Sequence, residues 1–467
     1  MLSLVAPGRN LTCEGVTRRE LLRVGTLGIG GLTLADLFRA QALAGNGNSI
    51  LRDKAVVVLN LQGGPTHIET FDPKMSAPSE YRAMFGETKT SIPGVTFGSH
   101  FPQLASLADR MAIVRCYRHG IGSHATAAKH VMAGGNPTGA QLGSVYARLA
   151  GTNSPVTGLP TNAVISPGAI GEKYKKFGAN VSRVTEIGTL PSAYRAFDPS
   201  SGGEIVNNMK LRLPDNRLGD RKSLLTQLDG YRRDFDRNDE ISGTNSYQQQ
   251  AFDVIAGGMD SAFRIDDEPQ ELIDRYDTGQ FKIPRHIQKK KANVPGQSPV
   301  ALGRQMLLAR RLIESDCRFV TVTSSGWDMH GNAFGINDGM PLLGPAVDKA
   351  ASAFLEDLED RGLSDKVLLV ITGEFGRTPR INKKAGRDHW GRLCTLAFAG
   401  GGLPMGQVIG ETDRHAGESI GQQVTSQQVL GTIFSHLFNI PEIRLRTDIP
   451  AEIARAITDS SPIPQLV

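Results

Sequence analysis

Between Leu302 and Phe438 the chain alternates short apolar runs with longer amphipathic stretches, and this alternation leaves few folds open. Ala346–Arg361 carries Val347, Ala351, Phe354, Leu355 and Leu358 on one helical face, with Pro345 at its start and Gly362 at its end. Val367–Thr372 follows as a continuous apolar run, the composition of a strand buried on both faces. Leu302–Glu314 repeats the helical pattern through Met306, Leu307, Ala309, Leu312 and Ile313, and feeds a strand over Arg318–Thr323. Thr395–Phe398 reads as a further strand, and Thr425–Phe438 as a closing helix. Upstream, Ala55–Leu61, Met111–Arg115 and Ala163–Ile165 are strand-like. Strands alternating with helices predict an α/β fold whose mostly parallel sheet is covered on both faces. From about Gly171 to Gln297 charged and polar residues take over, so a helical and loop-rich insertion is expected there.

Charge excludes one class of partner. The net charge is +5 over 467 residues, and residues 1–44 contribute +2 of it, leaving +3 dispersed over the remainder. That is too weak for nucleic acid; the Lys289-Lys290-Lys291 cluster sits among Pro, Gly and Gln and reads as a solvated loop. Residues 1–44 have the order of a twin-arginine export signal. Arg18-Arg19 precedes the mildly apolar, Gly-rich Val24–Leu34, and Ala42-Leu43-Ala44 supplies a small-x-small cleavage site. The apolar run is too short and glycine-rich to span a bilayer, so a periplasmic or secreted protein is expected, its domain covering residues 50–467 after a Gly45–Ser49 linker. This export route carries folded proteins, which favours a metal site. Cys116, Cys317 and Cys394 remain after the signal, too few for a disulfide framework, and Cys317 and Cys394 read as small buried hydrophobes.

Chemistry concentrates at strand ends, where open α/β sheets bind ligands. After Val367–Thr372 come Glu374, Arg377, Arg380, Arg387, Asp388 and His389 within one loop. After Arg318–Thr323 comes Gly326-Trp327-Asp328-Met329-His330. Asp-x-His places a carboxylate and an imidazole on one side of an extended backbone, and with His389 it makes an Asp/His/His set with a position open to water or substrate. Alone, the same Asp-x-His is an ordinary polar loop. Ser123-His124 opens a short helix ended by Gly134-Gly135; Ser123 is a natural N-cap, and the helix start also suits an anion. After Ala55–Leu61 comes Gln62-Gly63-Gly64-Pro65-Thr66-His67-Ile68-Glu69, where His67 and Glu69 are either ligands or loop polar groups.

The segments GGPTHIETFDPK, SHATAAKHVMAGG, LLARRLIE, GWDMHGN, ITGEFGRTPRIN and GRDHW, in this order behind a twin-arginine signal, resemble a large family of exported bacterial proteins. That family is catalogued as a domain of unknown function in the alkaline phosphatase and sulfatase superfamily. The resemblance implies an alkaline-phosphatase-like fold and hydrolysis of phosphate or sulfate esters with two divalent ions, zinc first among them, and a nucleophile at a helix start. It maps Asp328, His330 and His389 onto the first metal site. At the second site, Glu374-Phe375-Gly376 stands where Asp-His-Gly is usual and Gln62 where Asp is usual; Glu374 remains a candidate ligand, with His67 or Glu69 able to compensate. His124, with Ser123 before it, falls in the nucleophile slot, as metal ligand, acid–base or nucleophilic group, or vestige. Arg377 is expected to clamp the anion. Two functions follow: an exported metal-dependent hydrolase of small-molecule or polysaccharide esters, using one ion or two, or a catalytically degenerate binding protein using the same pocket.

Overall fold

The computed structural model describes residues 50–177, 180–200, 260–289, 299–331 and 334–467. The expected export signal, its linker and most of the charged part of the insertion lie outside these residues. Seven strands form the central sheet: β1 Ala55–Leu61, β2 Met111–Val114, β3 Asn162–Ile165, β4 Phe319–Ser324, β5 Val367–Gly373, β6 Leu396–Gly400 and β7 Gln407–Ile409. Their spatial order is β7-β2-β6-β5-β1-β4-β3. β1 lies between β4 and β5, parallel to both, with Val58 opposite Thr321 on one side and Val370 on the other. Every residue of β1, β4 and β5 is buried, as their apolar composition requires.

Alternate side chains of β1 serve two cores. Val57 and Leu59 pack with Met306, Leu307 and Phe354 from helices α3 (Leu302–Glu314) and α4 (Ile336–Asp360). Val58 points the other way, towards Val131, Leu142 and Ile433 of helices α1 (His124–Ala133), α2 (Leu142–Ala150) and α5 (Ser426–Leu437). The result is the expected α/β architecture, a mostly parallel sheet covered on both faces.

One strand breaks the parallel pattern. β6 runs antiparallel to β5 and to β2, whereas β7 is parallel to β2. A parallel connection needs a crossover that carries the chain back along the sheet. The segment after β5 instead stays at the strands' carboxyl end, folding into a ribbon of Gly376–Arg377 paired with His389–Trp390, so the chain re-enters the sheet from that end. The same detour suspends the charged loop over the sheet edge.

α4 begins ten residues before the expected Ala346 and holds Pro341 and Pro345 inside it. An interior proline costs about 3 kcal/mol, but the added turns bury Ile336, Met340 and Leu343, each contributing about 1.5–3 kcal/mol. Both prolines lie off this buried stripe, and the Asp338 carboxylate accepts the N–H of Gly335 at the helix start. Of the insertion, the described parts are single 3-10 turns such as Val181–Val184 and short helices such as Gln270–Tyr276. The latter docks on α3 and α4 through a buried polar knot: Arg310 Nε lies 2.9 Å from Asp357 Oδ2, and Tyr276 Oη donates to the same oxygen at 3.0 Å.

Candidate metal centre

Three strand ends and one helix start converge at the carboxyl edge of the sheet. β1 ends in Gln62-Gly63-Gly64, where close approach makes glycine obligatory. Gly63 has φ +113°, and a Cβ there would lie 2.5 Å from the backbone nitrogen of Asp328; one on Gly64 would meet the Phe375 ring at 2.5 Å. The absence of both side chains lets the loops after β1, β4 and β5 approach one another.

At the junction His124, Asp328, His330 and His389 bring one ligand atom each within 4.8 Å of one another, the one such group among the described residues. His124 is the first residue of α1, Asp328 and His330 follow β4, and His389 lies on the ribbon after β5. His330 Nε2 is 3.0 Å from Asp328 Oδ1, His389 Nε2 is 3.4 Å from the same oxygen, and the two Nε2 atoms are 2.8 Å apart. His124 Nε2 lies 3.4 Å from Asp328 Oδ2.

The opposite ring nitrogens decide what this arrangement can hold. His389 Nδ1 donates to Gly122 O at 2.7 Å, His330 Nδ1 to the Asp388 carboxylate at 3.1 Å, and His124 Nδ1 to Glu374 Oε2 at 2.6 Å. A neutral imidazole with its proton on Nδ1 offers a lone pair at Nε2. Three such lone pairs therefore face one carboxylate, an arrangement that calls for a cation at the centre. Carboxylate or carbonyl acceptors behind ligating histidines are the usual support of a metal site, so the donor set fits a divalent ion. The electrostatics show the same demand for positive charge, met by a proton on His124 where no cation binds. Burial disfavours the charged form of His124, but its hydrogen bonds to Asp328 and Glu374 and their charges outweigh this and raise it to about 9. Burial would raise Asp328, yet His124, His389 and Arg377 hold its carboxyl well below the usual carboxylate range. The side chains of Asp328 and His330 are each 40% exposed, so the centre is open to small molecules.

The remaining expected site residues fall into place around this group rather than in it. Arg377 is 1% exposed, and all three of its guanidinium nitrogens are engaged. Nε donates to Gly64 O at 2.8 Å, Nη1 to Arg387 O at 3.2 Å and towards His330 Nε2 at 3.4 Å, and Nη2 to Gly63 O, to Trp327 O at 3.3 Å and to Asp328 Oδ1 at 2.6 Å. It ties the strand ends together and fixes Asp328. Glu374 stands beside the group as the acceptor for His124. His67 is buried apart from it, its Nε2 donating to Ala416 O at 2.9 Å while its Nδ1 has no partner. Glu69 accepts from Met84 N and faces Arg387 Nη2 at 3.3 Å. Ser123 occupies the N-cap position of α1 but makes no capping bond, because its exposed hydroxyl meets the Thr126 hydroxyl at 3.4 Å instead of a helix N–H. Cys116, Cys317 and Cys394 are buried free thiols.

Sequence reasoning assigned no role to four contributors. Asn382 Nδ2 donates to His330 O at 3.1 Å while its Oδ1 accepts from Lys384 and Gly386 N–H groups, shaping the loop that delivers Asp388 to His330. His119 Nε2 donates to Glu374 O at 2.8 Å and its Nδ1 accepts from Ile121 N at 3.1 Å, which fixes the turn carrying Gly122 O; burial pushes this histidine down to about 4, against the hydrogen bond to Glu374. Arg183, from the polar insertion, reaches Glu374 Oε1 at 3.3 Å. Only Asp388 carried a signal, its place beside His389 in GRDHW.

Fold and centre define an α/β protein with a candidate metal site at the carboxyl edge of its sheet. The family model described as a protein of unknown function, DUF1501, matches residues 53–446, and the chain belongs to that family. None of the curated proteins matches it significantly. Among solved structures it is similar to the PsFucS1 sulfatase from Pseudoalteromonas sp., at 12% identity and a TM-score of 0.32 over 86% of this chain and 70% of that one. The phosphonate monoester hydrolase of Agrobacterium radiobacter aligns at 11% identity and a TM-score of 0.28, over 78% of this chain and 71% of that one. Likenesses this distant decide nothing about activity. Among the described residues no helix is long and apolar enough to cross a membrane.

Proposed function

We propose that this chain is an exported metal-dependent hydrolase of phosphate or sulfate esters, with His124, Asp328, His330 and His389 as the ligands of a divalent ion. The observation that carries this reading is the convergence of three imidazole Nε2 atoms on Asp328 while each Nδ1 donates outward. A mixed imidazole and carboxylate set suits zinc, and with all four side chains bound a water or ester oxygen would enter as a fifth ligand. When bound, such an ion would polarise an ester oxygen and lower the pKa of a coordinated water. The chain's own groups do the rest. Arg377 holds Asp328 from behind, Asp388 and Gly122 O fix two rings, and Glu374 fixes the third. Ser123, exposed, free of a capping bond and next to His124, would supply its hydroxyl as nucleophile. The first N–H groups of α1, a ten-residue helix, offer the positive dipole end to an ester anion. Residues 1–44 support action outside the cytoplasm.

The competing reading, an exported protein that binds a ligand such as a polysaccharide without turning it over, is favoured by Phe375 and Gln62 at positions where the resemblance implies ligands. Metal analysis of the purified protein beside His330→Ala separates the two. The hydrolase reading expects a bound ion in the wild type, its loss in the variant, and turnover of aryl phosphate or aryl sulfate esters by the loaded protein. A metal-free wild type rules the hydrolase out.

A further inference from the structure

We propose that the centre takes a single metal ion and that the guanidinium of Arg183 supplies a second, fixed positive charge beside it for an anionic substrate, a conclusion that rests on the metal reading above. The residues that could hold a second ion are committed elsewhere. Glu374 is 1% exposed and both of its oxygens are occupied. Oε2 accepts from Gly63 N at 3.1 Å and from His124 Nδ1 at 2.6 Å, and Oε1 faces Arg183 Nη1 at 3.3 Å. Gln62, at the end of β1, is closed on the backbone of Asn180: its Nε2 donates to Asn180 O at 3.0 Å and its Oε1 accepts Asn180 N–H at 2.8 Å. Phe375 contributes no donor; its ring fills the space under Gly64 and lies against His124 and His389, with centroids 5.0 and 4.5 Å away. His67 is buried apart from the centre with its Nε2 on Ala416 O and only Nδ1 free, and Glu69 is held by Met84 and Arg387.

The same contacts show what takes the second place. The two-bond clasp between Gln62 and Asn180 fixes the start of the turn Val181–Val184, and that turn delivers Arg183 to Glu374. The Arg183 side chain remains 31% exposed, so its guanidinium is both pinned and reachable. A guanidinium stays charged at any working pH and matches phosphate or sulfate oxygens with parallel N–H donors. An anion bridging the ion and Arg183 would thus be read by a residue of the polar insertion, which makes the segment Asn180–Thr185 a recognition element and Gln62 a positioning residue.

Zinc titration of the full chain, followed by inorganic phosphate binding to the loaded protein, tests this. One tight equivalent of zinc per chain is expected. Two tight equivalents overturn the single-ion inference and leave the metal reading standing, whereas none overturns both. With one zinc bound, Arg183→Ala is expected to weaken phosphate binding by about tenfold or more without changing the zinc stoichiometry. Gln62→Ala should produce the same loss by releasing the turn, and Arg183→Lys a smaller one. Unchanged phosphate affinity in Arg183→Ala at one zinc per chain removes the role given to Arg183.

Discussion

Nδ1 of His124 and Oε2 of Glu374 are 2.6 Å apart, joining the first residue of a helix to a fully buried carboxylate at the end of the central strand β5. This contact sets the tautomer of His124 and turns its Nε2 towards Asp328. Glu374→Gln keeps the shape and removes the charge. Supporting carboxylates of this kind are worth about 10–100-fold in metal affinity, so a loss of that size is expected in chelator competition, with an unchanged circular dichroism spectrum.

Asn382 acts on the centre from one residue further out. Asn382→Ala removes the donor to His330 O and the acceptor that closes the turn at Gly386. Metal affinity should fall by about tenfold while hydrogen exchange accelerates in the segment 382–388. Protected exchange at wild-type rates there would contradict the assignment.

Gly63 admits no side chain. Gly63→Ala forces a Cβ to within 2.5 Å of Asp328 N at φ +113°; strained non-glycine backbone of this kind costs about 1–3 kcal/mol. Urea denaturation should show that loss, and the variant should bind metal more weakly because Asp328 is displaced.

Two buried histidines predict acid sensitivity remote from the centre. Burial lowers His67 and His436 from the ordinary 6.5 to about 4, against hydrogen bonds to Ala416 O and Ala55 O. Above pH 6.5 neither affects the balance. As the pH falls below it, the unfolded chain takes up protons that the native one refuses, so stability declines until about pH 4. Each contributes a slope of up to about 1.4 kcal/mol per pH unit. Denaturant midpoints measured from pH 7 to pH 4.5 should fall steadily, and less steeply in His436→Gln.

The knot around Arg310 should behave as a structural element only. Arg310 is 1% exposed and paired with Asp357, which is also buried. Asp357→Ala removes one of three carboxylates around this guanidinium, Glu268 and Glu314 remaining, and strips Tyr276 Oη of its acceptor; a buried group left unsatisfied in this way costs about 1–3 kcal/mol. A drop in stability of that size with metal affinity preserved is the expected outcome.

The apolar runs and amphipathic stretches by themselves determined the α/β class, because a strand buried on both faces and a one-sided helix leave distinct periodicities whatever surrounds them. They located β1, β4 and β5 to within a residue or so, and the candidate ligands Asp328, His330 and His389 stood out as metal-binding residue types at strand ends. Tertiary structure alone decided the rest. Whether β6 would return antiparallel depended on where the loop before it folded, and the early start of α4 depended on burial that overrode two prolines. Arg377 is a long cation in a charged loop, read from sequence as an anion clamp; six backbone and side-chain acceptors converging from three loops make it an internal strut. Asn382, His119 and Arg183 act through hydrogen bonds to partners far away in the chain, and such bonds leave no periodicity or spacing in the sequence. The imidazoles could be named from their positions, but which nitrogen of each faces the centre is set by Gly122, Asp388 and Glu374, which only the folded chain brings behind them.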